Sequence, residues 1–190
     1  MSVLAIQPPT TSPQPAWPLS IDAYHALGEM GFIPEKSELL YGFVFPKMPK
    51  SPCHSFIAEM LADKLRARLA PGCFVRVEQP ITCGLSEPEP DVAVVKGKRE
   101  DYRNQHPKTA ELVIEVAVTS EAHDRSKAAA YASASIAEFW LIVASRKQIE
   151  IHSDPQSGAY RSVRTIEADE QAESQSVPGF AVVPQDLLAE

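Results

Sequence analysis

Glu111-Leu112-Val113-Ile114-Glu115-Val116-Ala117-Val118 is the stretch on which the fold turns. From Leu112 onward it is apolar on both faces of an extended chain, apart from Glu115. A strand with one solvated face alternates polar and apolar residues, whereas a strand apolar on both faces belongs in the middle of a covered sheet. The stretch is therefore expected to be a central, buried strand. Glu115 stands in its centre, where an ionised carboxylate is costly unless a cation or strong donors compensate it. An edge position, or pairing with an arginine, is the purely structural alternative, and the residues alone leave it open.

Working outward, strands and helices alternate. Upstream, Asp91 to Val95 reads as a strand entered through Pro88-Glu89-Pro90, and Phe74, Val75 and Val77 mark another. Ser51-Pro52 is a helix start, followed by Phe56, Ile57, Met60, Leu61 and Leu65 at helical spacing, with Gly72 as the stop. Glu38 to Phe45 reads as a strand or hairpin arm turned at Gly42. Ser20 caps a short helix carrying Ile21, Tyr24 and Leu27 and ending at Gly31. Downstream, Thr119 or Ser120 caps a helix predicted to run to about Ala134. Phe139 to Val143 and Gln148 to His152 form a strand pair around Ser145-Arg146-Lys147, and Tyr160 to Ile166 is a further strand. The remainder is polar until Phe180-Ala181-Val182-Val183. This pattern gives an α/β (α+β) class without an internal repeat.

The length of 190 residues and the 44% hydrophobic content suit one domain with a proper core, expected over residues 19–190. No stretch approaches the roughly 20 apolar residues of a membrane helix, so no membrane partner is expected. Met1 to Pro18 carries Pro8, Pro9, Pro13, Pro15 and Pro18 among Thr, Ser and Gln; it lacks the plan of a secretory signal and reads as a flexible tail. Cys53, Cys73 and Cys83 form no C-x-x-C pair, which argues against a disulfide framework or zinc site and for a reducing, cytoplasmic setting. The net charge of −7 argues against coating nucleic acid through bulk charge, but not against meeting phosphate through metal and a local basic patch. Lys96, Lys98, Arg99 and Arg103, with Lys108 beyond them, make one such patch in a predicted loop, and the first four are the candidate substrate-binding residues.

Two further residues give Glu115 a chemical context. Asp91 opens the strand predicted next to it, and carboxylates from adjacent strands make an oxygen site of the kind Mg²⁺ uses, with water and substrate phosphate completing the shell. Taken alone, Asp91 is equally a turn residue. Lys127 lies on the following helix. The strand advances about 10 Å from Glu115 to Val118 at ~3.3 Å per residue, and a helix folding back from Glu121 returns about 9 Å at ~1.5 Å per residue. Lys127 thus comes level with Glu115, although Asp124 offers it an ordinary i−3 ion pair instead.

Pro90-Asp91-Val92, Val113-Ile114-Glu115-Val116, Asp124-Arg125-x-Lys127 with Tyr131, and Glu138-Phe139-Trp140-Leu141-Ile142-Val143 together resemble the Uma-two-type family of restriction-endonuclease-like proteins, within the PD-(D/E)XK nuclease superfamily. Glu38-Leu39 with Gly42, and Met48-Pro49-Lys50-Ser51-Pro52 running into His54, fit the same pattern. The resemblance implies a restriction-endonuclease-like mixed sheet flanked by helices, with added strands and hairpins. It also implies phosphodiester hydrolysis dependent on Mg²⁺, with Mn²⁺ as a substitute. Carried over by position, Asp91, Glu115 and Val116 hold the metal, Lys127 is the catalytic lysine, and Glu38 and His54 are auxiliary members of the site. DNA is the implied substrate and a homodimer the implied assembly. Two departures stand out. The superfamily's lysine normally follows the glutamate by two residues, where this chain has Ala117, so Lys127 must serve in its place. The turn after the strand, Val118-Thr119-Ser120-Glu121, also differs from the Ser-Pro-Ser-Thr-like turn of many relatives. A catalytically silent module that binds nucleic acid or a protein partner, and a metal phosphodiesterase acting on small nucleotides, are the competing readings.

Overall fold

The computed structural model describes residues 17–188; residues 1–16, most of the proline-rich tail, lie outside the described residues. Helix α1 (Ile21–Glu29) is capped by the Ser20 side chain, which accepts from the Ala23 N–H at 3.2 Å. Strands β1 (Ser37–Leu40) and β2 (Phe43–Pro46) form an antiparallel hairpin in which Glu38 pairs with Phe45. Its turn needs a glycine. Gly42 has φ +80, and a Cβ there would lie 2.3 Å from the Pro18 Cβ, while its carbonyl accepts from Leu19. Helix α2 (Pro52–Arg66) begins with Ser51 as its cap and Pro52 in the first turn. It stops at Arg66, before Gly72, and the glycine instead serves the turn into β3 (Cys73–Val77) with φ +92.

The main sheet comprises β3, β4 (Val92–Lys96), β5 (Leu112–Ala117), β6 (Glu138–Val143), β7 (Gln148–Gln156) and β8 (Ala159–Ile166), in that spatial order. Only the β5–β6 pair is parallel and the rest are antiparallel, so the sheet is mixed and flanked by helices, as expected. All six residues of β5 are buried, which bears out the reading of its two apolar faces. The alternation of the strands divides the core in two. Val92, Val94, Leu112, Ile114 and Val116 pack with Ile57, Leu61 and Leu65 of α2. Ala93, Val95, Val113 and Ala117 pack on the other face with Tyr131 and Phe139. A short pair of strands, β9 (Ala172–Glu173) and β10 (Ala181–Val182), leads into α5 (Pro184–Leu187).

One predicted helix is two. The segment expected to run to Ala134 breaks into α3 (Glu121–Ser126) and α4 (Ala128–Ser133) at Lys127. The Lys127 N–H bonds back only three residues, to the Asp124 carbonyl at 3.2 Å, which tightens the chain there. Ser120 does not cap the helix either, because its hydroxyl is taken by the Asp124 carboxylate. Helical periodicity is nearly the same on both sides of such a break, so the sequence pattern did not reveal it.

Candidate active site

The parity of the strands places both carboxylates on one face. Val92 pairs with Ile114, the last pair of the β4–β5 ladder. Extending that register by one residue sets Asp91 opposite Glu115, with Cβ atoms about 5 Å apart. Both point to the α3–α4 face, the face of Ala93, Val113 and Ala117. Because β4 pairing has ended, the Val116 N–H is free of a strand partner on that edge and donates to Asp91 Oδ2 at 2.7 Å. In an extended chain the N–H and C=O of one residue share an edge, so the Val116 carbonyl faces the same side.

Lys127, at the break between α3 and α4, reaches into this space. Its Nζ lies 3.2 Å from Glu115 Oε1, 3.1 Å from Glu38 Oε1 and 3.6 Å from Asp124 Oδ1. The Asp124 pairing anticipated as an alternative is therefore present, but it is the longest of three contacts. Tyr131 also donates to Glu115 Oε1, at 2.5 Å. Lys127 and these carboxylates are all buried, with Glu115 only 2% exposed. Glu38 arrives from β1, where its other oxygen accepts from the Glu89 N–H. The first turn of α2 brings His54, whose Nε2 is 3.0 Å from Asp91 Oδ2.

Sequence reasoning missed two members of this cluster. Lys50 bonds Asp91 Oδ1 at 2.7 Å, and His123 Nε2 lies 2.8 Å from Glu38 Oε1. Neither carries a local signal: a lysine before a helix and a histidine within one are ordinary surface residues until the sheet brings β1, α2 and α3 together. The basic stretch, in contrast, is not brought to the cluster. Asp91 and Lys96 mark opposite ends of β4, about 17 Å apart at ~3.4 Å per residue. There Lys96 pairs with Glu111, and the Lys98 backbone is held by Asp101. The physical reason is the straightness of one strand: residues at its two ends cannot share a site.

The carboxylates differ in their electrostatics. Burial pushes Glu115 up to about 8, opposed only in part by Lys127 and reinforced by the negative charges of Asp91, Asp124 and Glu38. Burial acts the same way on Asp91, but the His54 hydrogen bond and the Lys50 charge outweigh it and hold Asp91 down at about 2. Burial works against the Lys127 ammonium, yet the surrounding carboxylates raise its pKa and keep it charged. For Glu115 the folded value lies above the ordinary 4.5, so the native state holds this proton more tightly than the unfolded chain. Its contribution to stability is complete below the ordinary value and lost as pH rises through about 8. Asp91 has the opposite sign, stabilising above its ordinary 3.8 and losing this as pH falls towards about 2. In chelator, the melting temperature is therefore expected to fall between about pH 5 and pH 8, and Glu115→Gln to flatten that slope. A slope unchanged by the substitution would assign it to other groups.

These side chains line a cleft of about 470 Å³, walled by the β2–α2 connection, the end of β5 and α3. Among the described residues no three His, Cys, Asp or Glu side chains form a complete metal cage. The donors do suit an ion that needs only one or two protein carboxylates: an ionised Asp91, the Glu115 carboxylate and the Val116 carbonyl, all hard oxygens on one edge. Both hydrogen bonds to Glu115 fall on Oε1, leaving Oε2 without a partner among the described residues.

A sequence model of the family described as "Uma2: Putative restriction endonuclease" matches residues 22–187. No curated protein matches the chain. Among solved structures, the fold is similar to that of a "putative nuclease belonging to DUF820" from Anabaena variabilis, with a TM-score of 0.75 at 17% sequence identity. The match covers 90% of this chain and 98% of the other. At that identity the likeness speaks for the fold alone.

Proposed function

This chain belongs to the Uma2 family of restriction-endonuclease-like proteins, and from that premise we propose that it is a divalent-metal-dependent nuclease whose active site is built from Asp91, Glu115 and Lys127. Family and fold point to a nuclease acting on phosphodiester bonds; the metal, the DNA substrate and the residue roles are our reading. The observation that carries it is the buried register pair Asp91–Glu115 with the Lys127 ammonium 3.2 Å from the glutamate. A structural ion pair alone does not account for three carboxylates, Glu38, Glu115 and Asp124, buried around Lys127 with Asp91 buried beside Glu115, because the repulsion among them costs stability.

Asp91, Glu115 and the Val116 carbonyl would hold Mg²⁺ or Mn²⁺. When bound, the ion supplies a Lewis acid for the phosphate and lowers the pKa of a coordinated water. The protein's own groups do the rest. Lys50, His54 and the Val116 N–H orient Asp91 and keep it ionised. Tyr131 fixes the Glu115 carboxylate in place. Lys127 sets a positive charge where negative charge develops on the phosphate oxygens. Glu38, gripped by Lys127 and His123, positions that lysine.

The test is incubation with circular DNA, single-stranded and double-stranded, in Mg²⁺, Mn²⁺ or chelator. Metal-dependent linearisation or nicking of either circle, lost in Asp91→Asn, is the expected result. Cleavage that persists in chelator, or in Asp91→Asn, would sink the metal site. Intact circles under every condition would favour the silent-module reading.

A further inference from the structure

Resting on the nuclease reading of this cleft, we propose that its substrate is a single strand, or an unpaired nucleotide, whose base stacks on Phe45 at the cleft wall. The hairpin register carries the argument first. Phe45 is the cross-strand partner of Glu38, so both side chains leave the same face and the ring is held beside the buried carboxylate. Its centroid is 5.6 Å from that of the His123 ring, at 54°, and His123 in turn is fixed to Glu38. Phe45 is nevertheless 37% exposed, and Met48 on the same wall is 76% exposed. Pro46 and Pro49 stiffen the segment between them. An apolar wall held rigid and left uncovered next to a charged catalytic cluster is suited to a ligand with both a flat apolar face and an anionic group. A nucleotide has both, and its base offers that face only when it is not stacked within a duplex.

Access and charge point the same way. Asp91, Glu115 and Lys127 are buried at the floor of the cleft, so the scissile phosphate must enter it, and a flexible single strand reaches such a floor with less deformation than a stiff duplex does. Duplex binding also draws on cationic side chains along two phosphate backbones. Here the lysines of the cleft wall are already engaged, Lys47 by Glu89 and Lys50 by Asp91 and Glu78. The basic stretch beginning at Lys96 lies at the far end of β4, and the net charge is −7.

The experiment measures binding by fluorescence anisotropy, with one labelled oligonucleotide offered alone and as its blunt duplex, in Ca²⁺ in place of Mg²⁺ to keep the strand intact. The single strand is expected to bind at least about tenfold more tightly. Phe45→Ala should weaken it by roughly fivefold to 150-fold, the range given by the loss of one base stack, and leave the duplex unchanged. Phe45→Trp, which keeps a ring on the wall, should retain binding. Because Phe45 is part-exposed, both variants are expected to fold, and their melting curves check this. Duplex binding equal to or tighter than that of the single strand, an unchanged Phe45→Ala, or no binding of either form would each overturn the proposal. The circle assay separates the two readings. Equal cleavage of both circles would keep the nuclease and discard the single-strand preference. Phe45-dependent binding with both circles intact would do the reverse.

Discussion

Asp91→Asn is expected to abolish the binding of Mg²⁺ and Mn²⁺ at millimolar concentrations in a calorimetric titration, while leaving the fold in place. Asparagine keeps the size of the side chain, and its oxygen still accepts from the Val116 N–H that now reaches Asp91 at 2.7 Å. What it removes is the charge of the proposed metal ligand that is firmly ionised without metal, held down at about 2. Glu115, pushed up to about 8 by burial, must lose a proton before it can coordinate and cannot substitute. The charge stabilisation supplied at the phosphate is several kcal/mol, and at ~1.4 kcal/mol per decade its loss lowers turnover by about 10³-fold. Wild-type metal affinity in this variant would remove Asp91 from the metal site. If wild-type protein takes up no metal alone, the titration repeated with an oligonucleotide present decides whether substrate phosphate completes the shell.

Lys127→Ala separates catalysis from metal binding. The variant is expected to retain metal, because Asp91, Glu115 and the Val116 carbonyl are untouched, and to lose about 10²–10³-fold in turnover, the usual scale for removing one charge-stabilising donor. It should also be fragile without metal. Glu38, Glu115 and Asp124 would share a buried space without their cation, and breaking a buried pair costs about 3–5 kcal/mol. Part of that is relieved if Glu115 takes up a proton. Added Mg²⁺ restores positive charge to the same carboxylates, so the drop in melting temperature should be smaller in metal than in chelator. A variant as active as wild type would return Lys127 to a structural role. A drop in stability that is the same with and without metal would mean that the lysine and the ion do not share a site.

Glu115 was legible because it interrupts a strand apolar on both faces, and the cost of a charge there is a local statement. Asp91 was legible as its neighbour, and Lys127 as a residue that returns to the level of Glu115. The family pattern that joins these residues spans 22–187, so it too was written along the chain. The roles of Lys50, which the family pattern included without a task, and of His123 were not legible, since each acquires meaning from a partner 41 and 85 residues away. The basic stretch lies at the other end of β4 from Asp91, a separation of about 17 Å that the reading of Asp91 to Val95 as one strand already contained.

The sequence by itself determined the elements, the central position of β5 and the identity of the carboxylates, because periodicity, caps and the cost of a buried charge all act over a few neighbouring residues. The tertiary structure alone decided which residues meet. At Lys127 the chain tightens through the bond to the Asp124 carbonyl, and the lysine meets Glu38 and Glu115 only once the hairpin, sheet and helix have come together. The setting of Phe45 beside Glu38 depends on the hairpin register, and the meeting of Lys50 with Asp91 on the packing of α2 against the sheet. These are consequences of packing two layers of helices onto one sheet, and no stretch of chain contains them before it has folded.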